Sequence, residues 1–292
     1  MKKNIIVFIL LFSILVWSSA EDLLLVYSEG EVFENENGSW YEVYIGDMLS
    51  DTSTLKIGPD SMVEIDANGS TLLLNKPGTY KLGELISQST KVSAWGNNPV
   101  FKKFLSGDNG RSGVQTAVMG VRGSATETDD VEWLSEDSMI IDEAITMIDD
   151  GNFNDAIDFL SEEMDFAFDE DLSGYNYYIG YSYYMLGASG RALSYLDKVE
   201  SDYDTEYYPD FVVLKGSLLL ESLAYNDALD LFNEFLRNDD FSGTAQAVNY
   251  LSATALKGLG KDKDAQKKLE ITVKMNPSSE IGQSADFLLK NM

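Results

Sequence analysis

The chain has 292 residues, with 49 acidic against 21 basic side chains and a formal net charge of −28 at pH 7. It contains neither cysteine nor histidine. That excludes a disulfide framework, lipidation at a signal-site cysteine, the usual zinc ligands and every Ser-His-Asp or Cys-His nucleophile system, and no cofactor is expected.

Residues 1–20 read as a secretory signal peptide. Lys2 and Lys3 lead an apolar run from Ile5 to Val16, broken only by Ser13, and Ser18-Ser19-Ala20 offers a small-residue cleavage site before Glu21. The run is shorter than the roughly 20 residues of a membrane span. The expected product is periplasmic or secreted, touching a membrane only if the signal segment stays uncleaved.

Residues 21–128 read as a compact β domain, either a sandwich or a short β-solenoid. The runs Leu23–Tyr27, Trp40–Tyr44, Met62–Asp66, Thr71–Leu74 and Thr90–Trp95 are rich in branched and aromatic residues. Turn chemistry separates them at Asn37-Gly38, Gly58-Pro59-Asp60, Asn68-Gly69 and Lys76-Pro77-Gly78. Trp40 and Trp95 are expected in the β core. A glycine-rich stretch, Gly96 to Gly113, reads as a long surface loop.

A linker is expected at 129–137, four helical repeats at 138–278 and a capping helix at 279–292. Ala156, Ala192, Ala228 and Ala265 recur at intervals of 36, 36 and 37 residues. Twelve residues before each stands a small residue, Ala144, Gly180, Gly216 or Ala253, and four after each a large one, Leu160, Leu196, Phe232 or Leu269. Antiparallel helices approach closely only where side chains are small, and the large residue fills the adjoining gap. A helix pair cannot bury its own apolar face, so the pairs must stack. Pro277 ends the fourth unit, and Ile281 to Lys290 forms one further helix.

The repeat half resembles the tetratricopeptide family, whose period is about 34 residues. Gly180, Tyr183, Ala192 and Leu196 carry the pattern best, then Gly216, Ala228 and Phe232, with Pro277 as the terminal proline. The period here is slightly long and the family tryptophan is missing. The β half resembles the FecR domain in four blocks: Gly46–Leu49, Ile57–Ser61, Ile65–Ser70 and Thr116–Ser124, the last the most specific. Together the resemblances imply a multidomain all-β plus all-α protein, its β domain followed by an α–α superhelix of helical hairpins. They also imply protein partners, and the FecR-like part implies an extracytoplasmic place.

On a helix, positions i, i+4 and i+7 share one face. In the second unit that stripe is Tyr177, Tyr181 and Tyr184, with Met185 adjoining. It continues as Val213, Ser217 and Leu220 in the third unit and Tyr250 and Thr254 in the fourth. In the first it is Ile141, Ile145 and Ile148, the stretch expected to be buried within the chain. Such a tyrosine-rich groove suits a peptide segment of another envelope or periplasmic protein.

Residues 129–240 carry 29 acidic side chains against four basic ones, which repels nucleic acid and anionic lipid. Asp169, Asp171, Ser173 and Gly174 mimic the start of a calcium loop, but position 180 is Gly, without the closing carboxylate. Arg122 is read as tying a loop within the β domain. No Gly-x-Ser-x-Gly, phosphate-loop or dinucleotide motif is present, and an adaptor or scaffold rather than an enzyme is expected. The alternatives are a self-assembling structural protein, joined through Lys257, Lys261, Lys263, Lys267 and Lys268, and a carboxylate-based hydrolase. Oligomeric state is left open.

Overall fold

The computed structural model describes residues 22–36, 38–67, 70–87, 136–169, 171–200, 203–237 and 242–292. The signal segment, the strand expected at Thr90–Trp95, the Gly-rich stretch, Arg122 and the block Thr116–Ser124 lie outside them. Among the described residues no helix is long and apolar enough to cross a membrane.

Eight strands come first: β1 Asp22–Glu29, β2 Val32–Glu36, β3 Ser39–Glu42, β4 Met48–Ser50, β5 Thr54–Ile57, β6 Met62–Ala67, β7 Ser70–Leu74 and β8 Gly78–Lys81. They form two four-stranded antiparallel sheets, ordered β4-β1-β6-β7 and β3-β2-β5-β8. Leu23, Leu25, Val63, Ile65, Leu72 and Leu74 of the first meet Val32, Leu55 and Ile57 of the second in one buried core. Over the described residues 22–87 the two sheets therefore pack as a sandwich, not as a solenoid. Residues 82–87 add a helical turn whose Leu82, Leu85 and Ile86 pack on the same core.

Of the expected turns, Gly38 lies at φ +89 between β2 and β3, and Ala67 pairs with Ser70 across the β6–β7 hairpin. Trp40 departs from expectation. It sits on the edge strand β3, where all four residues are exposed, and is itself 42% accessible. As the edge strand of its sheet among the described residues, β3 has a neighbour on one side only and leaves its rings open to solvent.

Nine helices follow among the described residues: α1 Glu136–Asp149, α2 Phe153–Glu163, α3 Leu172–Met185, α4 Ser189–Leu196, α5 Tyr208–Glu221, α6 Tyr225–Phe235, α7 Ser242–Gly258, α8 Asp262–Met275 and α9 Glu280–Lys290. Within each of four pairs the helices are joined by three residues, which forces antiparallel hairpins. All four connections share one backbone solution. Gly151, Gly187, Leu223 and Gly260 take φ of +79, +79, +58 and +69. Each donates its N–H to the carbonyl three residues back, and the next residue donates to the carbonyl five back, as in Asn152 to Met147 at 2.8 Å and Ala224 to Leu219 at 2.8 Å. This is the Schellman closure, which satisfies otherwise orphaned helix carbonyls.

The small–large pairs meet as their spacing requires. Ala144, Ala253 and all four large partners are fully buried. A Cβ added at Gly180 would lie 2.9 Å from Leu196 Cγ, and one at Gly216 would strike the Phe232 ring. After Pro277, Ser279 caps α9 by accepting the Gly282 N–H at 2.9 Å.

Candidate partner-binding face

Helix α3 carries six tyrosines and sorts them by direction. Tyr175 is fully buried toward the first hairpin, and Tyr183 stacks on Tyr195 of α4 with ring centroids 5.5 Å apart. Tyr177, Tyr178 and Tyr181 gather on the other face. Tyr207, from the connection before α5, stacks on Tyr177 at 4.5 Å and 12° and meets Tyr178 at 6.1 Å. Tyr207 thus fills the junction between the second and third units, where the connection from Leu196 to Tyr208 is the longest between any two hairpins. Its position in a connection rather than on a helix gave no periodic signal.

The nine expected groove residues divide. Tyr181, Tyr184, Met185 and Ser217 are half-buried and line the accessible surface. Tyr177, Val213, Leu220, Tyr250 and Thr254 are between 0% and 4% accessible and belong to the helical core. Helices α5 and α7 pack side by side, so Val213 and Tyr250 seal that junction instead of facing a groove. The open face is therefore confined to the first three units. Of the first-unit stripe, Ile145 is buried, while Ile141 is half-buried beneath Gly174.

Burial pushes the Tyr181 hydroxyl up to about 12, aided by Asp210 and Asp149. Burial raises Tyr177, Tyr178 and Tyr184 as well. These phenols stay neutral and act as hydrogen-bonding groups with large apolar rings.

A second constellation joins the two halves, and nothing in the sequence periodicity marked it. A bulge in β1 between Leu25 and Tyr27 places Tyr27 opposite Glu64, on the outer face of the first sheet. There Tyr27, Met62, Glu64 and Leu73 meet the helical stack. Glu64 is 5% accessible and accepts the Gly190 N–H at 2.8 Å, using a free donor at the start of α4. Gly190 has no room for a side chain, since a Cβ would lie 2.7 Å from the Tyr27 ring. The Ser189 hydroxyl donates to Glu221 Oε2 at 3.1 Å. The Arg191 guanidinium lies 5.6 Å from the Tyr27 and Tyr183 ring centres, and Lys76 pairs with Asp227. Leu223, at positive φ, packs against both cores. Burial raises the Glu64 carboxyl against the Gly190 bond, and pushes Glu221 up to about 7, with Ser189 opposing and Glu64 adding to the rise.

Asp171 stands at the start of α3, Ser173 accepts the Glu200 N–H at 3.1 Å and Gly174 is buried in the helix, so this run is a helix entry. No cluster of three metal-ligating side chains occurs among the described residues. Of the basic fourth-unit residues, Lys257 pairs with Asp262 and Lys267 with Asp264, at 2.8 and 2.9 Å. Lys268 donates to Asn249 at 3.0 Å. Much of the charge expected to drive self-assembly is thus answered within its own unit.

No family model and no curated protein matches the chain. Among solved structures, one described as "MamA RS-1 ArsTM double mutant" is similar at 19% identity and a TM-score of 0.45, over 54% of this chain and 85% of that one. A likeness of that size carries no argument about function. What defines the class here is the architecture itself: an antiparallel two-sheet β region followed by stacked helical hairpins.

Proposed function

We propose that this protein is an exported, non-enzymatic adaptor of the bacterial cell envelope. In this reading residues 1–20 are a cleaved signal peptide, the sandwich is a FecR-like domain and the hairpins are tetratricopeptide-like. The helical face formed by Tyr181, Tyr184 and Met185 holds a peptide segment of another envelope protein. The observation that carries the reading is that face: a half-buried tyrosine surface on a rigid array of four similarly closed hairpins. Stacked repeats of this kind offer extended binding surfaces.

The test is affinity capture from envelope extract with residues 21–292 as bait, read by mass spectrometry. The comparison bait carries Tyr181→Ala and Tyr184→Ala and is checked by circular dichroism. A protein held by the first bait and lost from the second supports the face as its site. Identical capture by both baits overturns it.

A further inference from the structure

We infer that β3 is a docking edge for an extended, cationic segment of a partner protein, which joins the sheet β3-β2-β5-β8 as a further strand beyond β3. This rests on strand geometry and not on the tyrosine face, so it gives the protein a site besides the one proposed above.

Among the described residues β3 pairs with β2 alone. The Val43 N–H donates to the Val32 carbonyl at 3.1 Å, so alternation along the strand aims the backbone groups of Tyr41 at β2 as well. Those of Trp40 and Glu42 then point away from the sheet. The Tyr44 N–H is bonded to the Asp47 carboxylate at 2.8 Å, which turns the chain and ends the open edge. Soluble proteins blunt such an edge with lysine, proline or a bulge. Strand β3 reads Ser-Trp-Tyr-Glu and pairs in unbroken register, with none of these devices. Instead Trp40, Tyr41, Tyr44, Ile45 and Met48 are between 42% and 62% accessible, and clustered exposed apolar groups mark interaction sites.

Charge selects the occupant. Residues 22–55 carry eight carboxylates and no lysine or arginine, and Glu36 and Glu42 are exposed on the hairpin itself. Glu42 accepts the Tyr44 hydroxyl, a neutral donor, at 2.8 Å. The next basic residue, Lys56, lies on β5 with β2 between it and the edge. A second copy brings like charge against like, whereas lysine or arginine on an added strand meets its opposite. A residue of that strand directly opposite Trp40 or Glu42 shares their face of the sheet and exchanges both backbone bonds with it. A lysine opposite Trp40 lays its stem along the ring and carries its ammonium toward Glu42. The residue between two such lysines faces Tyr41 on the other side of the sheet, where a branched apolar side chain fits.

The probe is a fluorescent peptide of repeating Lys-Val, titrated by anisotropy against residues 21–292, with a Glu-Val repeat as its control. The lysine peptide is expected to bind and the glutamate peptide to fail. Methylating the backbone nitrogens of the lysines should abolish binding. Methylating those of the valines should leave it unchanged, because only the lysine amides face β3. In residue-resolved hydrogen exchange the Trp40 and Glu42 amides should gain protection, while that of Tyr41, aimed at β2, stays as it was. Glu42→Gln should weaken binding about threefold, and Glu42→Pro, which also removes an outward donor, about tenfold or more. Thermal melting checks that both variants stay folded. Binding indifferent to either methylation, or without protection of Trp40 and Glu42, is charge attraction elsewhere and overturns the strand addition. Equal binding of the glutamate peptide with those amides protected overturns the cationic partner but keeps the edge. Protection of the same amides without peptide, rising with protein concentration, makes the occupant a second copy and overturns the partner. No binding of the lysine peptide overturns the inference and leaves the tyrosine face to the capture experiment.

Discussion

Replacing Glu221 by glutamine should change how stability depends on pH. Burial at the seam raises this carboxyl from 4.5 to about 7. The folded chain therefore holds a proton at pH values where the unfolded chain has released it. Stability is fully present below the unfolded value, declines as pH rises from 4.5 toward 7, and levels off beyond. Over the interval from about pH 5 to about pH 8 the ceiling on this loss is ~2.5 kcal/mol. Glu64, raised in the same direction, adds to the slope. Glutamine still accepts from Ser189 but cannot ionise. Urea unfolding of both proteins across that range isolates the contribution of Glu221 and its coupling to Glu64, because groups that do not interact with it cancel in the difference. Glu221→Gln should match the parent near pH 5 and exceed it by on the order of 2 kcal/mol near pH 8. A difference that stays constant with pH would refute the reasoning.

Three further outcomes follow from the packing. Gly216→Ala should destabilise by about 2 kcal/mol by driving a methyl into the Phe232 ring. Adding Phe232→Leu, which recreates the Ala–Leu pairing of the first and fourth units, should recover part of that loss in denaturant melts. Leu223→Gly should change the melting free energy by no more than about 1 kcal/mol, because relief of the left-handed backbone offsets lost contact. Leu223→Val should lose about 2 kcal/mol or more, since β-branching tolerates that conformation worst. Ser279→Ala removes the α9 cap and a 3.0 Å bond to Gln246, and should cost about 1 kcal/mol with earlier fraying of the C-terminal helix in hydrogen exchange.

The hairpins were legible because close packing writes itself into sequence. Gly180 facing Leu196 and Gly216 facing Phe232 are steric necessities, repeated at a period that survives every other substitution. Among the described strands, β1, β6 and β7 were legible for a related reason, since their apolar runs fill the sandwich, and β3 through the aromatic run beginning at Trp40, although that run is exposed. Strands β2, β5 and β8 are short and carry Glu34, Lys56 and Lys81, and β4 has only three residues, so none showed a period. Strand β6 misleads in another way. Met62, Val63, Glu64 and Ile65 are all buried, because one face meets the second sheet and the other meets the helices. Nothing local distinguishes Glu64 there from an ordinary surface carboxylate.

The helix face bearing the tyrosines was legible from 3.6-residue spacing, but its accessibility was not. Whether Val213 or Tyr181 is open depends on how near the next hairpin lies. That distance is set by the lengths of the connections and by Tyr207, neither of which helical periodicity reports.

The shared turn geometry has a consequence for how the array can be rearranged. Three of the four turns place glycine at the left-handed position, and a fragment ending in such a turn is interchangeable with another. The third is not, because Leu223 reaches the β domain from the one place where the other turns have no side chain. Gly190 imposes the opposite demand a unit earlier, where a side chain would strike Tyr27. The order of the units is thereby encoded at their turns. A chain with its second and third hairpins exchanged would still form helices and still stack them. It would present a side chain at the place of Gly190, where Tyr27 leaves no room, and bare backbone at the place of Leu223, so the contact between the two halves would be remade rather than kept.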